Sequence, residues 1–225
     1  MYDAACGTGN MTLALRKLGL IMSGADISDE MLAQASGKSR RLGLQIPWIH
    51  QDIRAIRTHR PLDAVVCACD GVNHLMSDAD ILKFLHGAYN ALRPGGTLAF
   101  DISSAYKLSR ILGCNTFGED KSDVCYLWNS NYDEATHVCQ MDLTFFSRIK
   151  SRQENGSSLC GADCGTYTND TYKCFRETII QKAHDAGHLQ KLMEGSGFSR
   201  VAAYGDMTLL PDDGTCERIH IVGQR

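Results

Sequence analysis

The sequence predicts an α/β fold built on a doubly wound, Rossmann-like sheet. Three observations carry that prediction. Met1 to Asn10 reads as the end of a strand, a glycine turn and the start of a helix. Leu62 to Cys69 is an almost continuous apolar run, as a parallel strand covered on both faces requires. Around these, short apolar runs alternate with segments of helical periodicity as far as Ile102.

In the first unit, Asp3 to Ala5 supply the extended piece. Gly7 and Gly9 let the chain turn sharply and let a ligand approach without a Cβ in the way. Met11, Leu13, Leu15 and Leu18 then recur at helical spacing, predicting a helix over Met11 to Leu20. Unbonded N–H groups at its start favour a polar or anionic ligand group. A second strand, Gly19 to Ala25, ends in Asp26, where a nucleotide-binding unit places the carboxylate that meets ribose hydroxyls. The dinucleotide fingerprint needs a third glycine three positions after the second, and Thr12 stands there. The expected ligand is nucleotide-like but neither NAD nor FAD.

Composition sets the outer bounds. The chain has 225 residues, 44% hydrophobic and 22% charged, which suits a single domain over 1–225 with a packed core. A net charge of -3 argues against a nucleic-acid surface. The basic cluster Lys38-Ser39-Arg40-Arg41 reads as the solvated end of a helix. No signal peptide is visible, and no apolar run approaches the ~20 residues that a membrane helix needs. Ten cysteines without a secretion signal read as reduced thiols in a cytoplasmic protein. Cys160, Cys164 and Cys174 lack the close pairs of a zinc site, so no metal is expected.

Further along, Ser28 is the N-cap of a helix ending near Arg41, with Asp29 and Glu30 in its first turn and Gly43 closing it. Ile46 to Ile49 is a short strand before His50-Gln51-Asp52-Ile53-Arg54. Asp70, Asn73 and His74 follow the apolar run at 62–69, at the strand end where ligands sit in such sheets. Ser77 starts the next helix, with Asp80 in a near-capping box and Ile81, Leu82, Leu85, Ala88, Tyr89 and Leu92 on its buried face. Arg93 to Gly96 turns into the strand Thr97 to Ile102.

From 103 to 184 the pattern changes to alternation, over Val124 to Trp128, His137 to Phe146 and Tyr172 to Ile180. These predict a small antiparallel β cap inserted after the fifth strand, with Ser147 to Asn169 as a loop. Trp128, Tyr132, Arg176 and His184 are its candidate pocket residues. Asp185 to Gly195 is helical, and strands at Val201 to Tyr204 and Glu217 to Val222 close the chain.

Four landmarks in this order resemble the class I S-adenosylmethionine-dependent methyltransferases. They are Asp3-Ala4-Ala5-Cys6-Gly7-Thr8-Gly9, Gly24 to Leu32, Leu62 to Leu75, and Leu92-Arg93-Pro94-Gly95-Gly96-Thr97-Leu98. The resemblance is to bacterial small-molecule enzymes of that class and implies a seven-stranded sheet with an antiparallel last strand. It implies S-adenosylmethionine as methyl donor, with S-adenosylhomocysteine as product. Donor contacts then fall on Asp3, Cys6, Gly7, Gly9, Asp26, Ile27, Met31, Asp52, Ile53, Cys69 and Asn73. Asp26 would meet the ribose and Asp52 the adenine amino group, with Ile53 packing on the ring. Asp70 and His74 are the catalytic candidates. The implied reaction is methyl transfer to N or O of a small-molecule acceptor by a monomer or homodimer. The alternative is a donor-binding module without chemistry. The family also has residues before Asp3 that this chain lacks, so the sequence reads as truncated at its N-terminus.

Overall fold

The computed structural model describes residues 1–149 and 171–225. In chain order its strands are β1 (Tyr2–Ala4), β2 (Ser23–Asp26), β3 (Trp48–His50), β4 (Leu62–Cys67) and β5 (Leu92–Ser103). There follow β6 (Thr116–Lys121), β7 (Val124–Asp133), β8 (Val138–Arg148) and β9 (Tyr172–Lys182), then β10 (Ser199–Gly205) and β11 (Arg218–Gln224). The main sheet has seven strands in the order β10-β11-β5-β4-β1-β2-β3. Pairing is parallel from β3 to β5, and β11 runs antiparallel to both β5 and β10. β1 lies between β2 and β4, so the crossover direction reverses there. The carboxyl ends of β1 and β4 therefore open the crevice where ligands bind in sheets of this kind.

Four helices connect the sheet: α1 (Asn10–Lys17), α2 (Asp29–Arg41), α3 (Asp78–Ala91) and α4 (Ala186–Gly195). Three begin on the side-chain caps that the sequence offers. Ser28 accepts from Met31 N–H, Ser77 from Asp80 N–H and Asp185 from His188 N–H. The buried face of α3 carries Ile81, Phe84, Leu85 and Ala88, all fully buried. Phe84 meets Phe100 of β5 edge to face at 5.8 Å. That contact fastens the helix to the sheet beside the crevice.

Two elements are shorter than the apolar pattern suggests. α1 stops at Lys17, leaving Leu18 78% exposed, and β2 starts only at Ser23. The run Leu18 to Met22 holds four apolar residues, but only Met22 is buried. Periodicity alone extended both elements into this connection. At the other end, the expected turn at Arg93 to Gly96 is drawn into β5. There Gly95 N–H donates to Arg225 O, and Arg225 N–H donates to Gly96 O.

The predicted cap is a separate four-stranded antiparallel sheet, β6-β7-β8-β9. Its first strand has no alternation signal, because Thr116–Lys121 carries one large apolar residue and faces solvent along nearly its whole length. Charges on such an edge strand suppress pairing with other chains. A π-helical turn, Lys107–Leu112, joins cap to sheet by burying Leu108 and Leu112 against Cys139, Met141 and Leu143. Of the loop expected at Ser147 to Asn169, residues 150–169, with Cys160 and Cys164, lie outside the described residues. Among those described, no helix is long and apolar enough to cross a membrane.

Candidate active site

A cavity of about 720 Å³ opens at the carboxyl ends of β1, β2 and β4. Its floor is the glycine turn. Gly9 has φ +76°, and a Cβ there would stand 2.5 Å from the Trp48 ring, so only glycine fits. Gly7 has φ +53° with open space on its Cβ side, and it faces the cavity. Of this pair, Gly7 is the cavity-facing glycine and Gly9 the packing one.

Asp26 ends β2 and fixes the turn to it. Its Oδ2 accepts from Gly7 N–H at 2.7 Å, and its Oδ1 accepts from Ser28 N–H at 2.9 Å. Each oxygen keeps a further lone pair, and Asp26 lines the cavity. Asp3 lies deeper, 1% exposed, and accepts from the Thr12 hydroxyl at 2.5 Å. Burial pushes its carboxyl up to about 6, against the lowering effect of the Thr12 hydrogen bonds. Thr12, at the missing third glycine, is thus the hydroxyl that anchors the floor carboxylate. Burial likewise pushes the Cys6 thiol up to about 12, so it stays protonated at neutral pH.

Lys38 was not among the expected site residues. Its ammonium, half-buried, donates to Thr8 O at 3.1 Å, Thr8 Oγ1 at 2.7 Å and Asn10 Oδ1 at 2.8 Å. It clamps the glycine turn from α2. Beside it the buried Ser39 accepts from Trp48 Nε1 at 3.1 Å. The cluster Lys38 to Arg41 is therefore not one solvated helix end, and only Arg40 and Arg41 are exposed.

One wall of the cavity is apolar and uncovered. Ile27 is 61% exposed, Met31 40% and Met11 42%, and Ile53 joins them. Apolar side chains gathered on a cavity wall mark a ligand surface rather than scattered surface residues. Asp52 stands at its rim and caps the turn at Ile53, accepting from Arg54 N–H at 2.8 Å. The Arg54 guanidinium grips both carboxylate oxygens of Asp52, with Nη2 at 2.5 Å from Oδ2. That grip holds the Asp52 carboxyl below the usual carboxylate range.

The far side of the cavity is the loop after β4. Cys69 and Asp70 both have left-handed backbone, at φ +62° and +58°. Two such non-glycine residues in a row are strained, and something must hold them. Asp70 does so by turning away from the cavity. Its Oδ2 accepts from Gln181 Nε2 of β9 at 2.7 Å, and its Oδ1 from Arg218 Nη2 of β11 at 3.0 Å. Arg218 also pairs with the buried Asp101 through Nη1. Gln181 and Arg218 escaped sequence reasoning, since both lie more than a hundred residues from Asp70.

The expected residues thus divide. Asp3, Cys6, Gly7, Asp26, Ile27, Met31, Asp52, Ile53, Cys69 and His74 line the cavity. Gly9, Asp70 and Asn73 do not. Asn73 is fully buried and bridges Ser103 to Lys182, donating to both carbonyls and accepting from Ser103 N–H. The four cap residues also lie elsewhere. Trp128 packs against Phe117, Tyr132 bonds His137, Arg176 is exposed, and His184 is buried, its pKa lowered by that burial. Among the described residues, the cap's contribution to the lining is Glu177 of β9.

Known proteins carry the same architecture. A family model described as Methyltransferase domain matches residues 1–96. "Putative methyltransferase YqeM" of Bacillus subtilis (strain 168) is 27% identical over all of this chain and 83% of its own length. The glycine/sarcosine N-methyltransferase of Halorhodospira halochloris is 36% identical, over 45% of this chain and 38% of its own. Among solved structures, an S-adenosylmethionine-dependent methyltransferase from Clostridium acetobutylicum ATCC 824 superposes with a TM-score of 0.83 and 28% identity. That match covers 99% of this chain and 82% of the other.

Proposed function

From a chain that is a class I S-adenosylmethionine-dependent methyltransferase, we propose a narrower reading: methyl transfer to N or O of a small-molecule acceptor held beneath the β cap. The observation that carries it is the single cavity running from the Asp3–Asp26 floor to Glu177 on β9. About 720 Å³ has room for the donor and a small acceptor together. A polar floor beside an apolar wall suits a nucleoside bearing a charged tail. Asp26 accepts from the ribose hydroxyls, while Ile27, Met31 and Ile53 flank the base. Asp52 meets the base amino group on the lone pairs that Arg54 leaves open. Asp3, Cys6 and Gly7 take the amino-acid end.

Bound donor supplies a methyl group on a sulfonium, already activated for displacement. What remains for the protein is alignment and exclusion of water. The His74 imidazole stands in the cavity wall and takes the acceptor proton where the nucleophile carries one. Asp70 serves by position, holding the strained loop through Gln181 and Arg218. The eight described cysteines are all free, which suits work in the cytoplasm.

Calorimetric titration with S-adenosylmethionine and with S-adenosylhomocysteine tests the donor site. Binding with a Kd in the micromolar range is the expected result. A folded chain that binds neither overturns the reading.

A further inference from the structure

Along β9 the residues Phe175, Glu177, Ile179 and Gln181 share one face, because side chains alternate across a strand. Each of the four meets something different. Gln181 is buried and holds Asp70. Ile179 packs in the cap core. Glu177 lines the cavity. Phe175 stacks on Phe145 of β8, centroids 5.1 Å apart and planes 19° apart, and stays 48% exposed. Tyr126 of β7 continues that aromatic row, 6.2 Å from Phe145. Glu177 therefore stands where the cavity gives way to an open aromatic surface.

The charge of the cavity is one-sided. Among the described residues its lining carries the carboxylates of Asp3, Asp26, Asp52 and Glu177 against one fixed cation, Arg54. Arg54 is spent on Asp52. Asp26 and Asp3 are tied to the glycine turn and to Thr12. The Glu177 carboxylate has neither a hydrogen-bond nor an ion-pair partner among the described residues. A carboxylate left unpartnered at the mouth of an anionic cavity repels anions and attracts cations.

We propose that Glu177 selects the acceptor, and that the acceptor is an amine carried on an aromatic or apolar body. This rests on the methyl-transfer reading above and narrows it from N or O to a cationic nitrogen. Glu177 accepts from the ammonium, and the body lies along Phe175, Phe145 and Tyr126. Before reaction the ammonium gives one proton to the His74 imidazole. The freed nitrogen lone pair then forms the N–C bond to the donor methyl while the C–S bond breaks. Its electron pair stays on sulfur as a neutral thioether. The product leaves as the methylated ammonium, and His74 returns its proton to solvent.

The test uses three matched probes: 2-phenylethylamine, 2-phenylethanol and phenylacetate. Each is titrated calorimetrically into the full chain, with and without saturating S-adenosylhomocysteine. The charge preference is then read whether or not the donor binds. Failure of S-adenosylhomocysteine to bind is read in its own titration and counts against the donor site, not against Glu177. The amine should bind about tenfold tighter than the alcohol, the margin of one charge-assisted hydrogen bond, and phenylacetate should bind weakest. Glu177→Gln should bring amine and alcohol within about twofold of each other, leaving S-adenosylhomocysteine affinity unchanged. Glu177→Lys should reverse the order in favour of phenylacetate. Equal affinity for amine and alcohol, no binding of any probe, or an amine preference that survives Glu177→Gln overturns the proposal.

Discussion

Asp26 ends β2 and Asp70 follows β4, the two strands that flank β1, yet they are held in opposite ways. Asp26 finds its partners in Gly7 and Ser28, within 19 residues of chain. Asp70 finds its own in Gln181 and Arg218, 111 and 148 residues away. The Asp26 floor is thus assembled from local turns of the first βα units. The Asp70 side is completed by the cap strand β9 and the last strand β11. The two sides should therefore fail separately, and each substitution below is chosen to damage one and spare the other.

The largest effect should come from the long-range side. Arg218 is the cation between Asp70 and the buried Asp101, whose side chain is only 5% exposed. Arg218→Met leaves the two carboxylates facing one another without compensation. Breaking a buried pair in this way costs about 3 kcal/mol or more. The loss should read as a lowered urea midpoint, and Asp101→Asn in the same chain should recover part of it. Should Arg218→Met unfold at the wild-type midpoint, the network is not what secures the strained loop.

The floor offers a test of opposite sign. The folded chain holds the Asp3 carboxyl at about 6 against 3.8 unfolded, so it binds a proton between those values that the unfolded chain has released. Stability therefore falls as pH rises from about 4 to 6, by at most about 3 kcal/mol at 1.36 kcal/mol for each pKa unit. Asp3→Asn keeps an acceptor for the Thr12 hydroxyl and removes the ionisation. Compared with wild type by urea unfolding, it should grow relatively more stable across that window. Its donor affinity at pH 7 should drop, as happens where a site carries strain for function. If the two chains show parallel pH profiles, Asp3 is not carrying a buried charge.

Asp26→Ala is the donor-side counterpart of the Arg218 change. Removing one acceptor of two ribose hydroxyl bonds should weaken S-adenosylhomocysteine by about thirtyfold. The amine preference set by Glu177 should persist in donor-free titrations. Unchanged donor affinity would remove Asp26 from the site.

This division also governs what the sequence could reveal. Gly7, Asp26 and the Ser28 cap are legible because the chemistry that fixes them sits within a few turns of chain, and glycine and aspartate spell it. The alternation of strands and helices in the main sheet and three of the four cap strands are legible from apolar periodicity, while the seven-stranded sheet with its antiparallel end rested on the family resemblance. Alternation over β7, β8 and β9 said that a sheet forms but not which face meets the cavity. That face depends on register, and a slip of one residue exchanges Glu177 for Arg176. Trp128 and Tyr132 attracted notice as aromatics, yet both pack in the cap core. Lys38 was hidden by its cluster, since nothing in Lys38 to Arg41 distinguishes a clamp from a solvated cation. Asp70 and Asn73 stand at the right strand end, but partners far along the chain turn them away from the cavity.

The smallest expected effect lies at the rim, where local and exposed coincide. In the proposed donor pose Asp52 would meet the base amino group only on lone pairs that Arg54 does not use, and the Arg54 side chain is 45% exposed. An exposed ion pair contributes little, because water replaces the lost partner and salt screens the attraction. Arg54→Ala should therefore shift S-adenosylhomocysteine affinity by no more than about threefold, and 0.5 M salt should shrink the shift further. Asp52→Ala deletes the acceptor itself and should cost about tenfold. Calorimetry on the two variants gives that ratio directly. If Arg54→Ala cost as much as Asp52→Ala, the guanidinium would be part of the base-binding surface. The boundary between donor floor and solvent would then have to be redrawn to include it.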